Sequence, residues 1–411
     1  MAIKLNSIPS SVFDVKPDEM GGNRERADIV ACGRLLMAER NGRDLNALRI
    51  LEKRPSEYTA RLDDASYQAT NENTKRKMVL FAAKMAAAQT GEDAPATYEE
   101  FLRVQRRFMG DKLFLKVLAG IIRDIVTPVL PVVWSNGLDW LCETVSVPLG
   151  QTYEIDVASN DVFLFEDDSW GASRSKPSNT LYTYPITLNP TPRTAKVTIK
   201  WYQLVGNGAD IGRFLNSIAA GMYNKIVALW AGAMSAAAAN TTFVPSALSY
   251  NAFSNANWVS AVKRVAMVNG TSFRNVVAFG DLVALTHVLP TGNVNAASVN
   301  LDAALSTMLG QDYIRYGYLG EFMGARLMPI ENVVVPGTQN TSIDELLPDD
   351  VVYFAATGGY KPVYLGIEDG TPIQIELDPR ETADMTIDII TTVSLDAKPV
   401  VASKIAVMEN V

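Results

Sequence analysis

Residue types that do chemistry are scarce in this chain. There is one histidine, His287, and two cysteines, Cys32 and Cys142, among 411 residues. Those counts exclude a His-rich metal centre, a zinc ribbon and a disulfide framework. A single His also leaves little room for a Ser/His/Asp or Cys/His nucleophile. Gly206-Asn207-Gly208-Ala209-Asp210-Ile211-Gly212 lies after strand-like sequence and opens a helical one. That is where helix N–H groups can cradle a phosphate. The spacing is G-x-G-x-x-x-G, however, and no Asp or Glu follows Asp210 before Asp281. The ribose-binding acid of a dinucleotide site is therefore missing, and a strand-to-helix joint is the plainer reading.

Other constellations are weaker still. No Gly-Lys-Ser/Thr phosphate loop occurs. Gly171-Ala172-Ser173-Arg174-Ser175 lacks the final Gly of a nucleophile elbow. His287 falls between Leu285 and Val288 in a helical stretch and reads as structural. Glu166-Asp167-Asp168 could hold a hard cation with carbonyl oxygens, but a solvated or Arg-paired loop needs no ion. The Trp and Tyr residues are not interleaved with basic ones, so no single-strand stacking platform is indicated. No cofactor and no enzyme activity are implied.

Composition sets the frame that must position anything functional. The chain is 48% hydrophobic and 20% charged, so it can bury a large core. Its net charge of −8 argues against a nucleic-acid-binding body. No signal-like start and no membrane span are read, and both cysteines read as free buried thiols, so a cytoplasmic setting is expected. Charge is uneven: residues 1–130 carry 21 Lys/Arg against 18 Asp/Glu, and the remainder carries 16 against 27. The character changes at the same place, which predicts a boundary near residue 130.

The N-terminal part reads as helices. One is expected over 24–53 with a break at Asn41-Gly42, and a second over 74–89 stopped by Gly91. A third is opened by Thr97, whose partner Glu100 completes a capping box. Arg103, Arg106, Arg107, Lys112 and Lys116 follow. They fit a scaffold or nucleic-acid contact, or simply a solvated helix face.

Beyond residue 130 strands begin. Tyr153, Ile155 and Val157 alternate with polar residues, as do Val197, Ile199, Trp201, Gln203 and Val205. The proline-containing stretch between them has no clean period. A long two-stranded arm resting on a partner surface would account for it. Residues 209–239 form the clearest helix, roughly 45 Å if unbroken. Short α/β units follow: helices at 258–268, 281–289 and 301–309, a strand at 275–279 and strand-like 333–337. The tail, 350–411, is nearly all strand.

This order of α+β elements resembles the major capsid protein of tailed bacteriophages, the Hong Kong 97-like fold. Residues 150–205 resemble its extended loop, and 208–239 its spine helix. Residues 257–345 resemble its axial domain, including the Gly-x-x-x-Gly segment around Gly320 and Gly324. The peripheral domain would take 131–149, 206–256 and 346–411, with 1–130 as a helical extension or arm.

The resemblance implies self-assembly as hexamers and pentamers into an icosahedral head. Such a head encloses double-stranded DNA without sequence-specific binding. Portal, scaffold or decoration partners, no membrane contact, assembly in the host cytoplasm and residence in the virion follow. An encapsulin-type shell around protein cargo shares the fold. An α/β nucleotide-binding enzyme using residues 206–212 is the alternative from another class. Trp170, Arg174 and Lys176 are expected at the arm tip as an inter-subunit anchor. In some relatives a loop Lys crosslinks to a neighbour's Asn. Lys176 lies near the tip, but no Asn or acid can be matched to it, and no catalytic residue is carried over.

Overall fold

The computed structural model describes residues 15–52, 62–127, 140–158, 183–202, 210–288, 320–330, 332, 334–335, 338, 341–369, 373–381 and 386–411. It is an α+β chain whose contacts divide into two compact units. The first takes Met1–Leu138, Thr191–Ile226 and Glu368–Leu395; the second takes Asp139–Pro190, Val227–Ile367 and Asp396–Val411. This partition differs from the boundary near residue 130 that charge suggests. It groups the N-terminal helices with two later segments.

In the first unit, helices α1 (Arg24–Glu52), α2 (Asp64–Thr90), α3 (Tyr98–Met109) and α4 (Lys112–Val126) pack together. α1 runs unbroken through Asn41-Gly42. A Gly inside a helix costs only about 1 kcal/mol, which the buried Ile29, Val30, Leu36 and Met37 can offset. α2 begins ten residues before the stretch expected from periodicity. Asp63 caps it, accepting from Ser66 N at 2.8 Å. Its early buried positions are Tyr67, Asn71, Thr74 and Lys75, so the inward face is polar and shows no apolar stripe. Its C-terminus is the one the sequence indicates, with Gly91 left-handed at φ 71°.

The Thr97/Glu100 capping box is also present. Glu100 N donates to Thr97 Oγ1 at 3.2 Å, and the Glu100 carboxylate accepts from Thr97 N. Gly110 ends α3, and Asp111 caps α4 by accepting from Leu113 N.

These helices share the unit with antiparallel strands. β4 (Thr191–Lys200) and β11 (Ile373–Glu381) flank residues 386–395 of β12 (Thr386–Pro399). Ile387, Ile389, Val393 and Leu395 of β12, with Ile375 and Leu377 of β11, are buried, and α4 packs against β11. β4 ends earlier than its alternation suggests. Residues 201–202 are helical, and Trp201 is fully buried with its ring 5.8 Å from Phe114. Phe101, Phe108 and Phe114 complete an aromatic cluster, with centroids 5.5–5.9 Å apart. Helix α5 (Ile211–Ala238) starts in this unit and continues past its border at Ile226.

The second unit holds a six-stranded mixed sheet and smaller sheets. The six-stranded order is β5 (Ser249–Tyr250), β13 (Ala406–Met408), β9 (Val352–Ala356), β6 (Val276–Gly280), β8 (Ala325–Pro329), β7 (Glu321–Phe322). β6 and β9 are buried at every position, as central strands should be. Helix α6 (Asn255–Val268) lies on this sheet through Trp258. Its ring meets Phe354 edge-on at 4.7 Å, and its Nε1–H donates to Phe322 O at 2.9 Å. The segment that sequence matched to a Gly-x-x-x-Gly motif is a tight hairpin, with Phe322 paired to Ala325. Val334 bridges Glu345, and residues 333, 336 and 337 of the strand-like 333–337 stretch lie outside the described residues. β1 (Cys142–Val147) pairs β10 (Val363–Glu368). The helix expected at 301–309 lies outside the described residues.

Candidate functional site

The ribbon proposed as an arm is built from β2 (Tyr153–Ala158) and β3 (Thr183–Leu188). They are antiparallel, with Tyr153 opposite Leu188 and Ala158 opposite Thr183. Of the strands within residues 150–205, β2 pairs with β3, whereas β4 joins β12. β3 was hidden by Pro185 and Pro190. Its signal was the short alternation Tyr184, Ile186, Leu188.

One ribbon face is apolar. Val157, Ile186 and Leu188 are buried with Val147, Tyr364, Val400 and Ala402, and Ile155 packs against them. The other face, Glu154, Asp156, Pro185 and Thr187, is exposed. The base of the ribbon is thus seated in its own unit, while Tyr153 and Tyr184 stay 42% and 38% exposed. Trp170, Arg174 and Lys176 lie outside the described residues, as do Glu166-Asp167-Asp168 and Ser173.

The joint before α5 shows what Gly212 is for. Residues 203–209 lie outside the described set. Asp210 occupies the N-cap of α5, and its Oδ1 accepts from Arg213 N at 3.1 Å and from the Tyr67 hydroxyl at 2.7 Å. Ile211 N donates to Asn71 Oδ1 at 3.1 Å, and Arg40 sits 3.7 Å from Asp210. The first-turn N–H groups of Ile211 and Arg213 are therefore spent on Asn71 and Asp210. A phosphate there would have to displace a carboxylate. A Cβ on Gly212 would fall 2.5 Å from the Tyr67 hydroxyl and 2.7 Å from Leu36 O. The glycine permits close helix approach. Gly212→Ala should cost roughly 1–3 kcal/mol by overpacking, read as a lowered urea midpoint; an unchanged midpoint would refute this docking.

The remaining chemical groups are accounted for structurally. His287 is not mid-helix. It is the exposed C-cap of the short α7 (Leu282–Thr286), and its Nδ1 lies 3.1 Å from Val411 O. Asp388 is buried on β12 but accepts from Thr198 Oγ1 and pairs with Lys196 Nζ, both at 2.6 Å. Neither cysteine is disulfide-bonded; Cys32 is only half-buried, whereas Cys142 is buried. Burial pushes the Cys142 thiol up to about 12, against a smaller opposite pull from Lys361.

A raised thiol pKa favours the folded state fully below the ordinary Cys value and loses that contribution as pH rises above it. With its thiol raised by burial, Cys142 is held protonated at neutral pH, so iodoacetamide should modify it only after unfolding. Native labelling at the rate found in urea would contradict that. Among the described residues no cluster of three His, Cys, Asp or Glu side chains could hold a metal, and no helix is long and apolar enough to cross a membrane.

No family model matches the chain, and no curated protein matches it. Solved structures do. A capsid of the cyanophage P-SCSP1u is similar at TM-score 0.43 and 9% identity, covering 66% of this chain and 86% of that one. The mature capsid of bacteriophage PhiM1 is similar at TM-score 0.44 and 11% identity, covering 67% and 86%. The SrpI encapsulin of Synechococcus elongatus is similar at TM-score 0.39 and 12% identity, covering 67% and 86%.

Proposed function

We propose that this chain is the major capsid protein of a tailed bacteriophage, self-assembling as hexamers and pentamers into an icosahedral head around double-stranded DNA. The observation that carries the reading is the order of elements along the chain. A β-ribbon, β2–β3, is followed by the 28-residue helix α5, then by a mixed α/β sheet, then by strands that return to pair with β4. This is the order whose resemblance to that family is visible in the sequence. The ribbon supports it too. Two-stranded ribbons are marginal alone, and here only one face is covered by the subunit itself.

Trp170, Arg174 and Lys176, in the connection between β2 and β3, are the inter-subunit anchor in this reading. In this reading the protein acts through assembly rather than catalysis. Negative-stain microscopy and sedimentation of the expressed protein, with and without a scaffold, test it. Closed particles are expected; a monomer at high concentration under both conditions would end it. An encapsulin-type shell would form particles as well, and would be told apart by protein cargo in place of packaged duplex.

A further inference from the structure

The exposed sides of α3 and α4 carry cations that no described residue pairs with. Arg103, Arg106, Lys112 and Lys116 are exposed and make no ion pair or hydrogen bond among the described residues. Arg103 and Arg106 stand one turn apart on α3, as do Lys112 and Lys116 on α4, and the two helices meet at the tight Gly110-Asp111 turn. Nearby acids are mostly occupied. Glu92 pairs with Arg107, Glu100 closes the capping box, and Asp111 caps α4. Glu99, one turn before Arg103, is the exposed acid on that line.

We propose that this face, from Arg103 to Lys116, binds the phosphate backbone of duplex nucleic acid without reading its sequence. The inference rests on the shell reading for its biological setting and names the surface that would meet the packaged duplex.

Three observations select this occupant. Four unpaired cations complement a polyanion. No aromatic of these helices is offered for base stacking. Phe101, Phe108 and Phe114 are buried, and Arg76 stacks over the Tyr98 ring, so a single strand is disfavoured. The one amide side chain on α3, Gln105, accepts from Trp201 Nε1 at 3.1 Å and is turned from the exposed face. Adenine edges are read by Asn and Gln, and this face offers neither. Arg and Lys contacts to phosphate position a duplex without carrying sequence information.

The test uses the full-length unassembled subunit and a random-sequence duplex of about 20 base pairs, read by fluorescence anisotropy. Four phosphate contacts predict a log–log salt slope of about −3.6, or roughly 100-fold weakening between 50 and 200 mM salt. Replacing Arg103, Arg106, Lys112 and Lys116 together by Gln should weaken binding at least about 10-fold and flatten the slope, with the thermal midpoint unchanged.

A variant that binds like the parent overturns the inference. So does tighter competition by poly-glutamate than by duplex, which would make the partner an acidic protein segment. Loss of particles in the variant, with particles formed by the parent, would make the face a subunit contact. That outcome overturns this inference and spares the shell reading. Absence of particles from the parent, with duplex binding intact, does the reverse.

Discussion

Replacing residues 159–182 by Asn-Gly should leave a folded subunit that no longer forms closed particles. Ala158 and Thr183 are directly opposed at the open end of the ribbon. A two-residue Asn-Gly loop can therefore close β2 onto β3 as a hairpin with matching twist. The apolar face beneath, Val157, Ile186 and Leu188 against Val147 and Tyr364, is untouched by the replacement. The thermal midpoint should stay within a few degrees, since no buried side chain of the described core is removed.

Assembly should respond very differently. Central interface anchors contribute about 2 kcal/mol or more each, about 30-fold in an association constant, and a shell repeats the contact at every subunit. Sedimentation should show subunits or small oligomers where the parent forms particles. Trp170→Ala with Arg174→Ala should move the same way with intact folding. Particles of normal yield and stability from the hairpin variant would remove the arm from the assembly argument.

Some of this was legible from local sequence. Thr97 with Glu100 and Gly91 after α2 are short-range signals. Each depends on hydrogen bonds within one helical turn, and each appears where the residues place it. The long helix α5 was readable from its apolar period alone. What failed was whatever depended on distant partners. The first turns of α2 bury Tyr67, Asn71, Thr74 and Lys75, so their face has no hydrophobic pattern to detect. Tyr67 and Asn71 make sense only beside Asp210 and Ile211, about 140 residues away. β4 was recognisable as a strand, but its partner, β12, lies nearly 200 residues downstream, so nothing local could separate it from the arm. The charge boundary near residue 130 is a change in sequence composition. Surface charge is not what groups α1–α4 with β4, β11 and β12.

Trp201→Ala tests that grouping, and should be the most damaging single substitution in the first unit. Trp201 is completely buried, its ring lies 5.8 Å from Phe114, and its Nε1–H is held by Gln105 Oε1 at 3.1 Å. It belongs to the 191–226 segment, whereas Phe114 and Gln105 belong to the N-terminal helices. Truncating a buried Trp typically costs about 3–5 kcal/mol, partly through the cavity left behind. Gln105 would lose its buried partner as well. Trp201→Phe keeps most of the ring and should lose less than half as much.

The readout is hydrogen exchange by segment in the unassembled subunit. Amides of α3, α4 and β11 should exchange faster in Trp201→Ala, and those of β6 and β9 should be unchanged. A protease site placed between residues 127 and 140 should then give a cut chain whose N-terminal piece stays bound under native conditions. Ready release of residues 1–127 as a separate piece, with Trp201→Ala neutral, would restore the boundary that charge suggests. Retention of the piece together with selective loosening of α3, α4 and β11 would establish the N-terminal helices as part of one core with strands encoded far downstream.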